Sequence, residues 1–302
     1  GSCASFAESS VWTRMAGECP DGMVLLGDTP YIDTTELRWQ RWAYRRLASV
    51  PQFAAASMKV PVWGTWDDHD FGKDAADGTL PGKEHSRQAF LEYRANADAG
   101  ENGQGVYTRF RRGPIEVFLL DTRWFARTEP SWADAARPTL LGRQQWEWLK
   151  RGLLESDAPF KILASGMVWD VKAKAGDAWG AYMYERDALE RWLGEKRIAG
   201  VILMGGDIHV SRLLKYRTRT HVGYDLFQFI VSPFSDRILP DANVPHPSLV
   251  ASAVEPYVFL KITADSTRYP ATLKAEWINR DGKIVFHLVT DAAQLQPVAL
   301  SR

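Results

Sequence analysis

The sequence predicts an α/β protein in which layered, mixed β-sheets are flanked by helices. Apolar runs of strand length alternate along the chain with longer segments whose apolar residues recur every three or four positions. Such alternation is typical of layered α/β architectures. Two runs near residues 270–290 alternate in polarity and are joined at Asp281-Gly282, which predicts a terminal β-hairpin and therefore a mixed sheet. Because the chain contains neither internal repeats nor Ser/Gly linkers, we expect one domain spanning residues 1–302.

Six segments before the hairpin are predicted to be strands because they are short, apolar and bounded by turn residues. They are, in order, MVLLGD (23–28), MKVPVWGTW (58–66), PIEVFLLDTR (114–123), FKILASG (160–166), GVILMGGDIHVS (200–211) and YDLFQFIVSP (224–233). Pro61 and Gly64 weaken the second prediction, because proline cannot donate to a strand ladder and glycine has no side chain to pack.

Three segments show the period of an amphipathic helix, and they lie between the predicted strands. They are residues 34–50, 139–156 and 184–196. Thr34 or Thr35 is the predicted N-cap of the first helix, because a hydroxyl can accept a backbone N–H there. The second helix carries Trp146, Leu149 and Leu153 along one stripe. Helices with such stripes are expected to cover a sheet.

Charge and composition argue against two classes of partner. Lys plus Arg and Asp plus Glu number 37 each, and no basic stripe is visible, so nucleic-acid cleavage is disfavoured. No apolar run approaches the ~20 residues that a membrane span needs. Cys3 and Cys19 can form at most one disulfide, which is not a framework. The sequence shows no signal peptide, and its residues alone neither support nor exclude export.

Polar clusters follow four of the predicted strands at the points where the strands end. The clusters are GDTPYID (27–33), WDDHD (66–70), LDTR (120–123) and GGDIHVS (205–211). A single aspartate after a strand is most often a helix cap or a turn residue. Four such clusters favour a shared site, because ligands in α/β folds bind just beyond the carboxyl ends of strands.

Metal ions would explain how so many carboxylates lie together. We expect Asp28, Asp67, Asp68, Asp207 and, less directly, Asp74 to share one cleft. Buried carboxylates repel one another, so their pKa values should rise unless cations are present. Nearby Lys and Arg are too few, whereas Mn, Fe, Ca or Mg ions suit oxygen ligands with one or two imidazoles. Two metal ions bridged by a carboxylate are a common arrangement for phosphoester hydrolysis.

Taken in order, these motifs resemble those of the alkaline phosphatase D (PhoD) group of metallophosphoesterases. The matching motifs are GSCAS, GDTPY, WDDHDFG, LDTRWFAR, LGRQQWEWL and GGDIHVS, and the resemblance runs from Cys3 to about Ser235 and weakly through the hairpin. It implies a calcineurin-like metallophosphoesterase architecture with a dinuclear or multinuclear site at one sheet edge. It also implies phosphomonoesterase or phosphodiesterase activity on a small phosphate ester, using a metal-activated water.

The resemblance further implies a ferric site. Cys3 and Tyr31 are the implied ligands of Fe(III), and thiolate and phenolate are both strong donors to that ion. Asp28 is the implied bridging carboxylate, and His209 completes the iron site. The alternative for Cys3 is a disordered thiol near the chain terminus.

A second, harder ion such as Ca, Mn or Mg is implied beside the iron. Asp68 and Asp207 are its candidate ligands, while Asp67 is either a ligand or a residue that orients His69. His69 is a candidate catalytic residue that donates a hydrogen bond to a phosphoryl oxygen or protonates the leaving group; a structural histidine is the alternative. Arg123 is a candidate phosphate clamp, and an internal pair with Asp121 is its alternative.

One departure from the family pattern falls just after WDDHDFG, where the family often has asparagine. This sequence has Lys73-Asp74 there, and we expect Asp74 to be a ligand of the second ion. If Lys73 takes the position instead, that ion is weakened or absent, and a metal-binding domain without turnover becomes the alternative function. The resemblance slightly favours export to the periplasm or the medium. The natural substrate and the oligomeric state stay open.

Overall fold

The computed structural model of the protein describes residues 1–6, 10–170 and 177–298. Within those residues it contains seven α-helices and twelve β-strands, together with three short 3₁₀ helices. The α-helices are α1 (Ser10–Gly17), α2 (Leu37–Ala48), α3 (Pro51–Ser57), α4 (Asp68–Phe71), α5 (Lys83–Tyr93), α6 (Gly142–Glu155) and α7 (Met183–Glu195). The strands are β1 (Met23–Leu26), β2 (Val62–Thr65), β3 (Thr108–Arg112), β4 (Ile115–Leu119), β5 (Phe160–Ala164), β6 (Val201–Gly205), β7 (Ser211–Tyr216), β8 (Leu226–Ile230), β9 (Leu249–Ala253), β10 (Val258–Asp265), β11 (Thr272–Asn279) and β12 (Ile284–Asp291).

The strands form three sheets, and the mixed character that the sequence predicts is confirmed. The largest sheet has the order β3-β4-β5-β6-β8-β7-β9, in which β4, β5, β6 and β8 run parallel and the remaining pairs are antiparallel. Strands β1 and β2 form a parallel pair, and β10, β11 and β12 form an antiparallel sheet. The parallel strands are buried on both faces, as expected for strands covered on each side.

Sheets pack face to face in the centre, and helices cover the outside. Trp277 of β11 lies edge-on to Phe229 of β8, and its indole N–H donates to the carbonyl of Ile230 at 2.9 Å. Helices α6 and α7 bury their apolar stripes in the same core cluster as the large sheet. Helices α1 to α3 contribute buried residues to a second cluster with β1 and β10. The molecule is therefore a layered α/β sandwich.

The predicted elements are present, with one correction at a helix start. Helix α2 begins at Leu37 after Glu36, and neither Thr34 nor Thr35 caps it. The hydroxyl of Thr34 instead accepts the backbone N–H of Glu36, which lies outside the helix, so the predicted threonine cap is wrong. The terminal hairpin is present as β11 and β12, and Gly282 in its turn has φ +82°, a conformation that glycine adopts without strain.

Strands β1, β2 and β6 bring the sequence motifs to one place, because each of these strands ends just before a polar cluster. Asp28 follows β1, Asp67 and Asp68 follow β2, and Asp207 follows β6. Gly27 and Gly166 permit the close approach, since a Cβ at either position would lie less than 3.0 Å from Asp67. Among the described residues, the structure has no helix long and apolar enough to cross a membrane.

Candidate metal centre

The backbone is turned into the left-handed region at four residues of the predicted site. Cys3, Asp28, Asp207 and His209 have φ values of +60°, +50°, +69° and +53°. A positive φ is uncommon for residues other than glycine and costs conformational free energy, so the surrounding structure must hold it in place. Strain of this kind is concentrated at functional sites. Here Asp28 follows the end of β1, Asp207 and His209 follow the end of β6, and Cys3 lies near the start of the chain.

Three of the predicted ligands form one compact set, which we call the first donor group: Cys3, Asp28 and His209. One ligand atom from each residue lies within 4.8 Å of the others, and all three residues are buried. The Cys3 thiol is 3.7 Å from Asp28 Oδ2. The Tyr31 hydroxyl lies 2.9 Å from His209 Nε2, so the phenol adjoins the same group. The sulfur, carboxylate, imidazole and phenol donors inferred from the motifs are thus adjacent in the fold.

His209 is held in an orientation suited to a metal ligand. Its Nδ1 lies 2.6 Å from the backbone carbonyl of Arg237, and its backbone N–H donates to the Ser232 hydroxyl at 3.1 Å. Because a carbonyl only accepts, Nδ1 carries the proton and Nε2 keeps its lone pair. Burial lowers the pKa of His209, which favours the neutral imidazole that binds metals.

Asp28 also belongs to a second set, the second donor group, with Asp68 and His69. One ligand atom from each of these residues again lies within 4.8 Å of the others. Asp68 is oriented by two backbone N–H groups, from His69 at 3.0 Å and from Ala75 at 2.7 Å. His69 Nδ1 lies 2.6 Å from Asp33 Oδ1. Asp28 is therefore shared by a sulfur-containing group and an oxygen-rich group.

The electrostatics of Asp28 fit a bound cation. Burial, followed by the charges of Cys3 and Asp68, raises the pKa of Asp28 well above its ordinary range. Its Oδ1 is buried and has no hydrogen-bond partner among the described residues. Burial likewise raises the pKa of the Cys3 thiol to about 11. A metal ion would satisfy the orphaned oxygen and stabilise the thiolate and carboxylate together, so these residues fit the implied metal ions.

Arg123 is placed differently from the predicted phosphate clamp. Its side chain is 1% exposed and pairs with Asp67 and Asp177, at 2.5 Å in each case. The alternative partner Asp121 instead accepts the backbone N–H of Arg123 at 2.9 Å. A clamp needs to face the substrate, whereas this guanidinium is enclosed by carboxylates and by the carbonyl of Ala76. In this position the guanidinium neutralises part of the negative charge of Asp67 and Asp177.

Asp67 is fully buried against Arg123 and lies outside both donor groups. Burial raises the pKa of Asp67, and the adjacent guanidinium opposes that shift. Its Oδ2 is buried without a hydrogen-bond partner among the described residues. The side-chain contact that orients His69 comes from Asp33 rather than from Asp67.

Asp74 and Asp207 also lie outside the two donor groups that the described residues form. Asp74 is exposed, as is Lys73, and the contact that reaches Asp68 comes from the backbone of Ala75. The expected role of Asp74 as a ligand thus finds no support in its position. Asp207 is half-buried at the site, where its carbonyl accepts from the Cys3 thiol at 3.5 Å and its charge acts on Asp67.

Three residues of the site were missed by the motif analysis. Asp70 Oδ1 accepts the backbone N–H groups of Asp28 and Asp67, at 3.2 and 2.6 Å, and so ties the two strand ends together. Asp33 binds His69, and Arg237 binds His209 through its carbonyl. Asp70 and Asp33 belong to the WDDHD and GDTPYID clusters, so the sequence already placed them near Asp67 and Asp28. The backbone contact of Arg237 leaves no signal in a side-chain motif.

Comparisons with known proteins place this chain in a family. The sequence model of the PhoD-like phosphatase family matches residues 1–269. Alkaline phosphatase D of Bacillus subtilis (strain 168) is 28% identical over 204 residues, and the match covers 57% of this chain and 34% of that protein. The fold and the shared carboxylate define a calcineurin-like metallophosphoesterase scaffold. Within that class, the chain belongs to the PhoD-like phosphatase family.

Solved structures support the same fold. The structure of PhoD has a TM-score of 0.72 at 19% identity, and the match covers 100% of this chain and 71% of that one. A purple acid phosphatase, PPD1 from yellow lupin (Lupinus luteus) seeds, has a TM-score of 0.64 at 14% identity, and the match covers 93% of this chain and 48% of that one. A dimetal phosphatase from Danio rerio has a TM-score of 0.53 at 14% identity, and the match covers 95% of this chain and 87% of that one. The chain spans about a third (34%) of the length of alkaline phosphatase D, the curated relative that it matches.

Proposed function

We propose that this chain is a metal-dependent hydrolase of phosphate esters, acting on monoesters, diesters or both. The observation that carries the proposal is the position of Asp28 in two donor groups at once. A carboxylate shared by two adjacent sets of ligands is what a dinuclear hydrolase requires, since its two metal ions are bridged. Membership of the PhoD-like phosphatase family supports the same reaction class.

The two donor groups differ in chemistry, which supports two different metal ions. The first donor group offers sulfur and imidazole with the Tyr31 phenol beside them, and this set suits Fe(III). The second donor group offers two carboxylates and one imidazole, which suit Mn, Mg or Ca. Bound there, the ions would supply Lewis acidity toward the phosphoryl oxygens and an activated water.

The chain's own residues keep these donors in place. Asp70 fixes the backbone at Asp28 and Asp67, and Arg123 neutralises part of the buried charge next to the second donor group. Arg237 is exposed, and its charge acts on both Tyr31 and His209, so a cation stands at the rim of the centre. A rim cation of this kind would attract a phosphate dianion or monoanion.

The proposal is tested by measuring turnover and metal content on the same purified protein. We expect hydrolysis of p-nitrophenyl phosphate, of its bis ester or of both, together with about two bound metal ions per chain by elemental analysis. Preference between the two substrates then assigns mono- or diesterase activity. A protein that binds metal but hydrolyses neither ester with any of Fe, Mn, Mg or Ca would contradict the proposal and favour a binding domain.

A further inference from the structure

Two tryptophans lie exposed and in contact on the outside of helix α2. Of the 13 tryptophans in the chain, only Trp39 and Trp42 are exposed, at 46% and 48%. Their ring centroids are 6.1 Å apart in an edge-on arrangement, and the ring of Phe6 extends the group at 5.7 Å from Trp42. Exposed apolar side chains that are scattered singly need no explanation, whereas a contiguous aromatic patch is typical of an interaction surface.

Arginines share this side of the helix with the tryptophans. Helix α2 contains four arginines and no acidic residue. At about 100° per residue, five exposed residues fall within an arc of about 120°, and we call them the α2 outer face: Arg38, Trp39, Trp42, Arg45 and Arg46. Arg38 pairs with the exposed Glu36 at 3.0 Å, whereas neither Arg45 nor Arg46 forms an ion pair in the part of the chain that the structure describes. The face is therefore both aromatic and basic.

The combination of indoles and free guanidinium groups favours a membrane surface as the partner. Arginines in a last helical turn stabilise the helix end, which explains Arg45 and Arg46 but not the two exposed indoles. Tryptophan prefers the headgroup region of a bilayer, and basic side chains beside it bind anionic lipids. Single-stranded nucleic acid also binds aromatic and basic side chains, but it follows a positively charged groove, and the outer side of a helix is convex.

We propose that the α2 outer face docks on the surface of an anionic phospholipid membrane. The opposite side of α2 is attached to the candidate metal centre, because Gln40 Nε2 donates to the Asp70 carbonyl at 3.1 Å. Asp70 Oδ1 in turn accepts the backbone N–H of Asp28 at 3.2 Å. Docking through α2 thus holds the centre beside a layer of phosphate groups. The inference goes beyond the proposed function, since docking does not require turnover.

Flotation with lipid vesicles tests the docking directly. The vesicles contain phosphatidylcholine alone or an equimolar mixture of phosphatidylcholine and anionic phosphatidylglycerol. One variant combines Arg45→Gln with Arg46→Gln, and a second combines Trp39→Gln with Trp42→Gln.

The matched controls change exposed side chains on other helices. Arg143→Gln combined with Arg191→Gln removes two exposed arginines from α6 and α7. Leu154→Gln removes an apolar side chain of α6 that is 58% exposed. Hydrolysis of the nitrophenyl esters and circular dichroism report whether each variant is folded.

We expect wild type to bind the anionic vesicles at low salt, to bind them less at high salt, and to bind phosphatidylcholine weakly. An arginine near an anionic surface strengthens binding about fivefold, so the double arginine variant should bind about 30-fold more weakly. The double tryptophan variant should bind at least about 10-fold more weakly, and both controls should match wild type. If the tryptophan variant does not fold, the arginine variant carries the test.

Three results would overturn the inference. Wild type that fails to bind anionic vesicles at low salt has no such docking surface. Binding that the α2 variants leave unchanged is due to another surface. Binding of a single-stranded oligonucleotide, or self-association, that is lost in the α2 variants while vesicles do not bind would give the face a different partner. Failure of the proposed function is distinguishable, because it concerns ester hydrolysis and leaves vesicle binding unchanged.

Discussion

The guanidinium of Arg123 is enclosed by carboxylates, which is not the position expected of a phosphate clamp. Its place after the LDT motif suggested contact with a phosphate, yet the guanidinium is buried between Asp67 and Asp177. A buried ion pair gives little net stability compared with apolar packing, but removing one partner leaves an uncompensated charge. We therefore expect Arg123 to offset the cost of burying the Asp67 carboxylate.

Arg123→Met tests that role. We expect the substitution to lower the free energy of unfolding by about 3–5 kcal/mol, because breaking a buried ion pair strands its partner. Arg151→Met removes an exposed pair with Glu101 and should change stability little, which makes it the control in urea denaturation. A stable Arg123→Met protein with only a raised KM would instead restore the phosphate clamp.

At the residue scale, the motifs predicted the candidate ligands but not the residues that form hydrogen bonds with them. Asp28, Cys3 and His209 are predictable as neighbours because each follows a strand end or lies in a motif that the family shares. Asp33 was not assigned, because its partner His69 is distant in sequence and hydrogen bonds between loops leave no periodic pattern. Asp74 was assigned from its position in a motif, which cannot distinguish an exposed turn from a buried ligand.

At the scale of elements, strand ends and helix packing decide the geometry. The elements that were predicted from their apolar periods are present. The elements that were not predicted are strands β3, β7, β9 and β10 and helices α1, α3, α4 and α5. The start of α2 could not be predicted, because Thr34 uses its hydroxyl in the loop before the helix.

Helix α6 lies close to the large sheet at Gly152, where a Cβ would meet the ring of Phe118 at 2.7 Å and Arg109 at 2.8 Å.

Gly152→Ala is therefore expected to destabilise the protein. Alanine favours a helix over glycine by about 1 kcal/mol, but overpacking a core usually costs about 1–3 kcal/mol. The steric cost of the contact with Phe118 should therefore exceed the gain in helix propensity. Gly17→Ala is the matched control in urea denaturation, since it lies in α1 with nothing within 4 Å of the added Cβ. Equal or greater stability of Gly152→Ala would show that α6 can shift away from the sheet.

At the scale of the whole molecule, the candidate metal centre draws its residues from distant parts of the chain. It draws Cys3 and Asp28 from the start of the chain, Asp68 from the end of β2, and His209 from the segment after β6. Without cations these buried groups oppose folding. The pKa of Asp28 is raised by burial and by neighbouring negative charges, and burial raises that of Asp70 to about 7. Metal binding and global stability should therefore be coupled.

Removal of the metals should lower stability in a pH-dependent way. The folded state holds the protons of Asp28 and Asp70 more tightly than the unfolded state, where such carboxyls titrate near 3.8. As pH rises from about 4 to about 7, the unfolded state releases these protons first, so the metal-free protein loses stability across that interval. Thermal unfolding with and without chelator should show a Tm difference that widens with pH.

The matched control for the pH effect is Asp28→Asn, because asparagine cannot ionise. In the presence of chelator, the stability of this variant should depend less on pH than that of wild type. Saturating metal at about 100 times its Kd is expected to add about 2.7 kcal/mol to the loaded protein. A Tm difference that is constant from pH 4 to pH 8 would show that the carboxylates do not govern the coupling.

Turnover of Asp28→Asn, measured together with metal content, tests whether two metal ions share Asp28. Asparagine tolerates the positive φ of +50° at this position, so the fold should persist while the bridging charge is lost. We predict that kcat on the preferred nitrophenyl ester falls at least about 1,000-fold, or about 4 kcal/mol of transition-state stabilisation, with fewer metal ions per chain. Wild-type turnover with a full complement of metal in Asp28→Asn would show that the Asp28 carboxylate does not bridge two metal ions.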